Sequence, residues 1–362
     1  MARVLVGMSG GVDSAVAAYL LQQAGHEVIG ATMRLWVAQD ELEPVTGGCC
    51  ALTAVEDARQ VAMKLGIPHY VLNYREVFRA CVVEPFISEY QAGQTPNPCI
   101  ACNSRVRFTH FLQQARSLGC DFIATGHYAQ IERQSGGLRL KKAVDRRKDQ
   151  TYMLFRMTEA ELSSTLFPLG GLEKSEVRRI ASRLNLSVAN KPDSQEICFV
   201  PDNDYRSFLR HAGVRDAPGS IIDESGSILG THTGIFNYTV GQRKGLGLTS
   251  PAPLYVLTLD AEKNHVVVGE SDRLMRREVV IADLHFLEVP SPATTLMGKV
   301  RYSAQDTPCT LAVIGAAQAV IRFVEPVRGP TPGQSLVLYC GDYVVGGGRI
   351  MGHSLGHTSG QS

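Results

Sequence analysis

The amino-acid sequence predicts a mixed α/β protein, with a doubly wound parallel sheet first, then a small β-rich domain and a C-terminal β-barrel. Strand-like and helix-like segments alternate through the N-terminal part, a pattern typical of parallel sheets covered by helices. After about residue 205, short apolar runs bounded by glycine and proline replace that alternation. With 362 residues the chain is long for one hydrophobic core. We therefore expect an α/β domain over 1–205, a central domain over 206–272 and a β-barrel over 273–362.

A glycine-rich turn joins the first predicted strand to the first predicted helix. The apolar run 4–6 precedes the string GMSGGVDS at 7–14, and apolar residues then recur at helical spacing. Glycines let the backbone approach a ligand, and the free N–H groups of a helix N-terminus attract anions. The turn therefore indicates a phosphate site rather than an ordinary strand–helix connection. Ser9 and Ser14 could donate hydrogen bonds to phosphate, and Asp13 is a candidate Mg²⁺ ligand.

Other predicted elements bring further residues to this turn. We expect strands over 27–33, 69–72 and 121–125, and helices over 51–65, 74–90, up to 118, and 173–185. Ligands of doubly wound sheets bind beyond the carboxyl ends of the strands. Gly11, Met33 and Gly126 lie at such ends, so we expect them around a nucleotide.

Composition excludes several functional classes. The net charge of +1 does not suit a uniformly basic nucleic-acid coat. No apolar run approaches the length of about 18 residues that a membrane span needs. The sequence enters a strand at once, so we expect no signal peptide and a cytoplasmic protein. The six basic residues within 138–150 form either a solvated face or a contact for phosphates.

Cysteine chemistry is the second candidate feature. The nine cysteines are an odd number, which argues against a disulfide framework. Cys99 and Cys102 lie on a proline-rich loop that enters a helix, and a helix N-terminus lowers the pKa of a thiol, so Cys102 is a candidate thiolate. Cys198 follows the polar string KPDSQE. The sequence leaves open whether Cys198 approaches Cys102 or all three are isolated thiols; the adjacent Cys49 and Cys50 are weaker candidates.

Five strings in this order, SGGVDS, TPNPCIACN, ATGHYA, KDQTYML and SQEICFV, resemble those of the bacterial tRNA 2-thiouridylase family. That family belongs to the ATP pyrophosphatase (PP-loop) superfamily, whose members cleave ATP to AMP and pyrophosphate. The resemblance implies that ATP, with Mg²⁺, adenylates the 2-oxygen of the wobble uridine of tRNA. Sulfur from a cysteine persulfide would then displace AMP. The implied partners are the tRNA anticodon stem-loop and a persulfide carrier or cysteine desulfurase, with no membrane contact and a monomeric enzyme.

The resemblance also implies roles for single residues. Cys102 would be the nucleophile, forming a disulfide or transferring sulfur with Cys198, and Cys198 would carry the persulfide. The implied ATP-binding residues are Gly7, Met8, Ser9, Gly10, Gly11, Val12, Asp13, Ser14, Met33 and Gly126. The implied tRNA contacts are Asn97, Pro98 and Cys99 at the target base, and His127, Lys148, Asp149, Gln150, Arg301, Tyr302 and Gln334 elsewhere.

One position departs from the family pattern. Many members carry aspartate where this chain has Cys99, and that carboxylate is the proposed acid/base group of the family. The three thiols Cys99, Cys102 and Cys198 instead resemble the ligands of a [4Fe–4S] cluster in cluster-dependent tRNA thiolases, where they would be metal ligands. The persulfide and cluster routes both remain open at this point.

Two other classes share the glycine-rich loop. An ATP-dependent amide or C–N ligase would need neither paired cysteines nor tRNA for AMP formation. A non-catalytic nucleotide-binding scaffold would bind ATP without releasing pyrophosphate. AMP formation that requires tRNA would separate the thiolase from both.

Overall fold

The computed structural model describes residues 1–36, 52–134, 136–193, 197–291, 294–313, 315 and 317–352. The chain divides into two compact units. The first comprises Met1–Glu84, Pro98–Tyr205 and Asp342–Val344, and the second comprises Pro85–Asn97, Arg206–Gly341 and Val345–Ser362. The helix-bearing segment Pro85–Asn97 thus groups with the second unit, although it lies within the α/β part of the sequence.

The first unit contains a five-stranded parallel sheet. Its strands and those of an added hairpin are β1 (Arg3–Gly7), β2 (Glu27–Arg34), β3 (His69–Asn73), β4 (Phe122–Ala124), β5 (Ala129–Gln134), β6 (Gly137–Lys142) and β7 (Thr165–Leu166). The sheet order is β3-β2-β1-β4-β7, and every pair is parallel. Val4, Leu5 and Val6 of the central strand are fully buried, because helices cover both faces. The chain order reverses beside β1, so the loop after β1 lies at the topological switch point where ligands of such sheets bind.

The helices agree with the predicted spans and reveal two interruptions. They are α1 (Val12–Gln23), α2 (Leu52–Leu65), α3 (Arg75–Phe78), α4 (Glu84–Gln91), α5 (Pro98–Cys102), α6 (His110–Ser117), α7 (Thr151–Leu154), α8 (Glu159–Ser163), α9 (Lys174–Arg183) and α10 (Tyr205–His211). The predicted helix 74–90 is divided by a π-helical turn at Arg79–Val83, and α5 continues into a second at Asn103–Arg107. The first turn precedes Pro85, whose missing amide cannot donate to a carbonyl four residues earlier.

The second unit is β-rich, as predicted. Its central part contains β8 (Gly219–Ile222), β9 (Ile228–His232), β10 (Tyr255–Asp260) and β11 (His265–Gly269), in the order β10-β11-β8-β9. Ile221, Val256, Val266 and Val268 are buried in its core.

A six-stranded barrel follows. Its strands are β12 (Met275–Phe286), β13 (Leu296–Lys299), β14 (Thr307–Val313), β15 (Gln318–Arg328), β16 (Ser335–Cys340) and β17 (Tyr343–Ile350). The described strands follow the order β12-β15-β14-β13-β16-β17, and pairing of β12 with β17 closes the ring. Ile281, Leu296 and Leu338 fill the interior of the closed ring. The predicted fold class is therefore confirmed. Within the described ranges, no helix is long and apolar enough to cross a membrane.

Candidate active site

The loop after β1 is shaped by its own serines. The Ser9 amide donates to Ser14 Oγ at 3.1 Å, and that hydroxyl donates to the Gly11 carbonyl at 3.1 Å. Ser14 is only 4% exposed, so its hydroxyl supports the turn from within. Ser9 is less buried and is the serine that faces the pocket beside the loop.

Two glycines in this region allow close backbone approach. Gly10 has φ of 68°, and a Cβ on it would lie 2.3 Å from the Ala54 carbonyl oxygen of α2. A Cβ on Gly126, which follows β4, would lie 2.7 Å from the amide nitrogen of Ser14. A side chain at either position would push a neighbouring backbone away from the loop. The structure thus places Gly126 against the start of α1, where the sequence predicted a nucleotide contact.

A small pocket opens beside the loop. Its lining residues are Gly7, Met8, Ser9, Met33, Leu35 and Arg107. The first four were predicted around the nucleotide. Arg107 was not, because no pattern in the sequence distinguishes it from nearby basic residues. It ends the π-helical turn that follows Cys102, and turns of this type are frequent at functional sites. Its guanidinium places a permanent positive charge beside the phosphate loop.

Asp13 is already engaged by protein groups. Both of its carboxylate oxygens accept from Lys174 Nζ at 2.7 Å, and Oδ1 also accepts from the Tyr128 hydroxyl at 2.8 Å. Lys174 is 8% exposed and pairs with Asp193 at 2.8 Å as well. Lys174 and Tyr128 together engage both oxygens of Asp13, so its observed role is that of an ion-pair partner. Sequence analysis did not foresee Lys174, which is remote in the chain and lies in the amphipathic helix α9.

Asp193 is the second anionic centre of this network. It accepts from Lys148 at 2.7 Å and from Arg178 at 3.0 Å. Burial alone would raise the pKa of Asp193, but hydrogen bonds from Lys148 and Lys174 outweigh it and lower the pKa to about 2. Burial and the adjacent Asp13 raise the pKa of the Tyr128 hydroxyl, which therefore stays a hydrogen-bond donor.

A further lysine contacts the loop backbone. Lys191 Nζ donates to the Gly10 carbonyl at 3.0 Å and to Asp57 at 2.6 Å. It precedes Asp193 by two residues, so one short stretch of chain contributes one group that contacts the loop and another that pairs with Lys174. The loop thus gains cationic support from residues far along the chain.

The cysteines depart from the predicted geometry in one respect. The helix α5 begins at Pro98, so Cys102 is its last residue, and the helix N-terminus adjoins Cys99 instead. The prediction that Cys102 lies at the start of a helix is therefore wrong. Cys102 is buried, Cys99 is exposed and Cys198 is half-buried. Cys49 and Cys50 lie outside the described residues.

The three thiols do not form a metal site. Among the described residues, which include Cys99, Cys102 and Cys198, no three cysteine, histidine or acidic side chains are grouped as metal ligands. The residues present thus do not fit a [4Fe–4S] cluster in this conformation.

The predicted tRNA contact His127 is half-buried beside the sheet. Its Nδ1 is 2.7 Å from the Thr125 hydroxyl, and its ring lies about 6 Å from the rings of Phe108 and Phe167, which contact each other as well. Burial, aided by the charge of Arg107, lowers the pKa of His127 to about 3. The imidazole is therefore neutral near pH 7, where it would offer hydrogen bonds but no charge to an RNA.

Of the predicted contacts, Lys148 ends a turn, and Asp149 and Gln150 follow it directly. The buried Asp149 carboxylate accepts from the Ala143 amide at 2.9 Å and the Thr151 hydroxyl at 2.7 Å. The Gln150 side chain accepts from the Tyr128 amide at 2.9 Å. These bonds shape the turn, and Lys148 is paired with Asp193. The basic run before it includes strand β6, where Lys141 pairs with Glu132 at 2.9 Å.

The remaining candidates lie in the second unit. Arg301 donates to the Arg328 carbonyl at 2.8 Å, and Tyr302 is 38% exposed. Gln334 donates to the backbone just before Asn97. Pro98, which begins α5, is buried and belongs to the first unit.

Three family models cover nearly the whole chain. Residues 2–202 match a model described as a tRNA methyl transferase HUP domain, residues 206–270 its PRC-barrel domain, and residues 276–350 an aminomethyltransferase beta-barrel domain.

Full-length relatives carry a more specific name. The tRNA-specific 2-thiouridylase MnmA of Clostridioides difficile is 50% identical over 353 residues, covering 96% of this chain and 98% of the relative. The tRNA-specific 2-thiouridylase MnmA of Lachnoclostridium phytofermentans is 48% identical, covering 97% of this chain and 100% of the relative. A solved 4-thiouridine synthetase–RNA complex with bound ATP is 18% identical, with a TM-score of 0.35 over 58% of this chain and 50% of that one. On the evidence of the full-length relatives and the three matched domains, the chain belongs to the tRNA-specific 2-thiouridylase family.

Proposed function

We propose that this protein uses ATP to replace the 2-oxygen of the wobble uridine of tRNA with sulfur. The observation that carries the proposal is the glycine-rich phosphate loop, which shares a compact unit with Cys102 and Cys198. The matched domain models mention methyl transfer, whereas the relatives are named for thiolation. The loop favours thiolation, because methyl transfer from a sulfonium donor requires no triphosphate site.

The first step would make oxygen a leaving group. The uridine 2-oxygen attacks the α-phosphorus of ATP, the α–β bridging bond breaks, and pyrophosphate departs. The N–H groups at the start of α1 and the charge of Arg107 suit a phosphate chain in the pocket. Mg²⁺ usually binds through phosphates and one or two carboxylates, and it would neutralise the departing charge. Asp13 is the loop carboxylate that could hold it once Lys174 moves from that side chain.

The second step would transfer sulfur. A persulfide on Cys198, loaded by a carrier or cysteine desulfurase, attacks C2 of the uridine through its terminal sulfur, and AMP leaves. Cys102 thiolate then attacks Cys198 Sγ, which forms a Cys102–Cys198 disulfide and leaves the second sulfur on the uridine. A cellular dithiol must reduce that disulfide before the next cycle. Because Cys102 is buried, its segment must open for this step.

The arrangement of thiols favours the persulfide route over a cluster. The cluster route needs three thiolates converging on one metal site, and Cys99, Cys102 and Cys198 are not so arranged among the described residues. We place Cys99 beside the target base, since it is exposed and follows Asn97 and Pro98. We further propose that the enzyme acts as a monomer in the cytoplasm.

The proposal is tested with purified protein, ATP, unmodified tRNA and a persulfide donor. We expect AMP and pyrophosphate to form only when tRNA is present, and 2-thiouridine to appear at the wobble position in nucleoside mass spectra. AMP formation without tRNA would instead support a ligase, and ATP binding without pyrophosphate release would support a scaffold. Thiolation that requires iron and acid-labile sulfide in anaerobically purified protein would overturn the persulfide route.

A further inference from the structure

The segment Pro85–Asn97, which leads directly into α5, belongs to the second unit and contacts other parts of that unit at several points. The Phe86 ring packs edge-on against Phe208, with 6.0 Å between centroids. Gly93 has φ of 69°, and a Cβ there would lie 3.3 Å from Leu259 Cβ of the central part. Ring packing at Phe86 in α4 and the close approach of Gly93 just after α4 therefore place this part of the segment against the second unit's other residues.

The barrel holds the other half by hydrogen bonds. Gln334 Nε2 donates to the carbonyl oxygens of Thr95 and Pro96, each at 3.0 Å. The Thr95 amide donates to the Pro332 carbonyl at 2.9 Å. Both hydrogens of the Gln334 amide nitrogen are therefore used on the segment backbone, and its oxygen can only accept.

Two neighbours of Gln334 complete the contact. Arg349 pairs with Glu89 at 2.8 Å and also hydrogen-bonds the Gln94 side chain. Gly333 has φ of 92°, and a Cβ on it would lie 2.9 Å from both the nitrogen and the oxygen of Thr95. Barrel backbone and segment backbone thus touch directly at Gly333. We refer to Gly333, Gln334 and Arg349 as the clamp.

The segment needs such support because of its own sequence. Pro96 and Pro98 have no amide hydrogen, so the stretch cannot order itself through a regular backbone ladder. The Thr95 and Pro96 carbonyls require donors from elsewhere, and Pro96 is buried. Gln334 supplies both donors.

We propose that the clamp positions the segment 94–97 for the target uridine, with Gln334 as a positioning residue that acts through the backbone of Thr95 and Pro96. The inference rests on the proposed function and deepens it, because it assigns Gln334 a task other than direct contact with tRNA. Small displacements of a positioning element reduce reaction rates strongly, by about 10²-fold for 1 Å.

Three variants test the clamp. Gln334→Ala removes both donors. Gln334→Glu keeps the shape but sets a carboxylate against two carbonyl oxygens. Gly333→Ala pushes Thr95 without removing any polar group. For each we expect the single-turnover thiolation rate at saturating tRNA and ATP to fall about 10²-fold, with the Kd for tRNA changed less than about threefold.

Gly341→Ala is the matched control. Gly341 also has positive φ, at 56°, but nothing lies within 4 Å of the added Cβ. It therefore carries similar backbone strain without touching the segment, and its rate should match that of the unmodified enzyme. Amide hydrogen exchange at 94–97 should accelerate in the three clamp variants and not in Gly341→Ala.

The opposite pattern overturns the inference. If Gln334 served only as a tRNA contact, Gln334→Ala would raise the Kd at an unchanged saturated rate, and Gly333→Ala would behave like Gly341→Ala. Unchanged hydrogen exchange in both Gln334 variants would also refute the clamp, even if Gly333→Ala failed to fold. Because exchange needs no turnover, failure of the clamp is distinguishable from failure of the proposed thiolation.

Discussion

The phosphate loop at 7–14 and the segment at 94–97 are held in place in contrasting ways. The loop is shaped largely by its own residues, since Ser9, Gly11 and Ser14 bond to one another within six positions of the chain. The segment is held by Gln334, which lies 239 positions from Thr95. The first arrangement is local and the second depends on tertiary structure.

Because of this contrast, we expect the two regions to differ in which substitutions they tolerate. Substitution of the loop's own glycines or their close neighbours should weaken nucleotide binding. Substitution of the distant residues that hold the segment 94–97 should slow the reaction and leave nucleotide binding unchanged. The predictions below use that difference.

The largest expected effect concerns the thiols. Cys102→Ser and Cys198→Ser should each lower 2-thiouridine formation by about 10³-fold or more, because both sulfurs take part in bond exchange in the proposed reaction. ATP binding should be unchanged, since neither thiol lines the pocket at the loop. Cys340→Ser, at an exposed barrel position, is the control. Mass spectrometry of digested tRNA gives the result, and substantial activity in Cys198→Ser would contradict the relay.

An intermediate effect is expected at the loop. Gly126→Ala would place a methyl group 2.7 Å from the Ser14 amide nitrogen and displace the start of α1. We expect the Kd for ATP, measured by calorimetry, to rise about 10- to 100-fold, as overpacking of this degree implies. tRNA affinity should stay the same. Gly171→Ala, where nothing lies within 4 Å of the added Cβ, should bind ATP normally. Equal affinities in the two variants would argue against a nucleotide at this loop.

The smallest effect is on stability and depends on pH. Because the pKa of Asp193 is lowered to about 2, its ion pairs stabilise the fold above the unfolded-state pKa of about 3.9, and that contribution is lost as pH falls toward 2. Asp193→Asn should lower the free energy of unfolding at pH 7 by about 2 kcal/mol and flatten its decline below pH 4. Urea denaturation from pH 7 to pH 3 measures both. Asp272→Asn, at an exposed position, should leave the curve unaltered. Parallel curves for Asp193→Asn and the unmodified protein would contradict the network.

Sequence patterns predicted the elements that depend on neighbours in the chain. The strand of residues 4–6, the glycine turn and helix α1 follow from apolar periodicity and from glycine, and the structure confirms them. The barrel was predicted from short alternating strands. The start of α5 was misplaced, because Pro98 suits the first turn of a helix as well as an extended loop.

The sequence by itself determined the fold class and the glycine-rich loop after β1, because these depend on short patterns and on residue chemistry; the roles of the thiols stay a prediction. Only the tertiary structure decided that Lys174 holds Asp13, that Arg107 borders the pocket and that Gln334 supports the segment before Cys99. These partners are separated widely along the chain, and their pairing arises from how the elements pack. Local sequence periodicity does not indicate which distant donor will form a hydrogen bond with a given carboxylate or carbonyl.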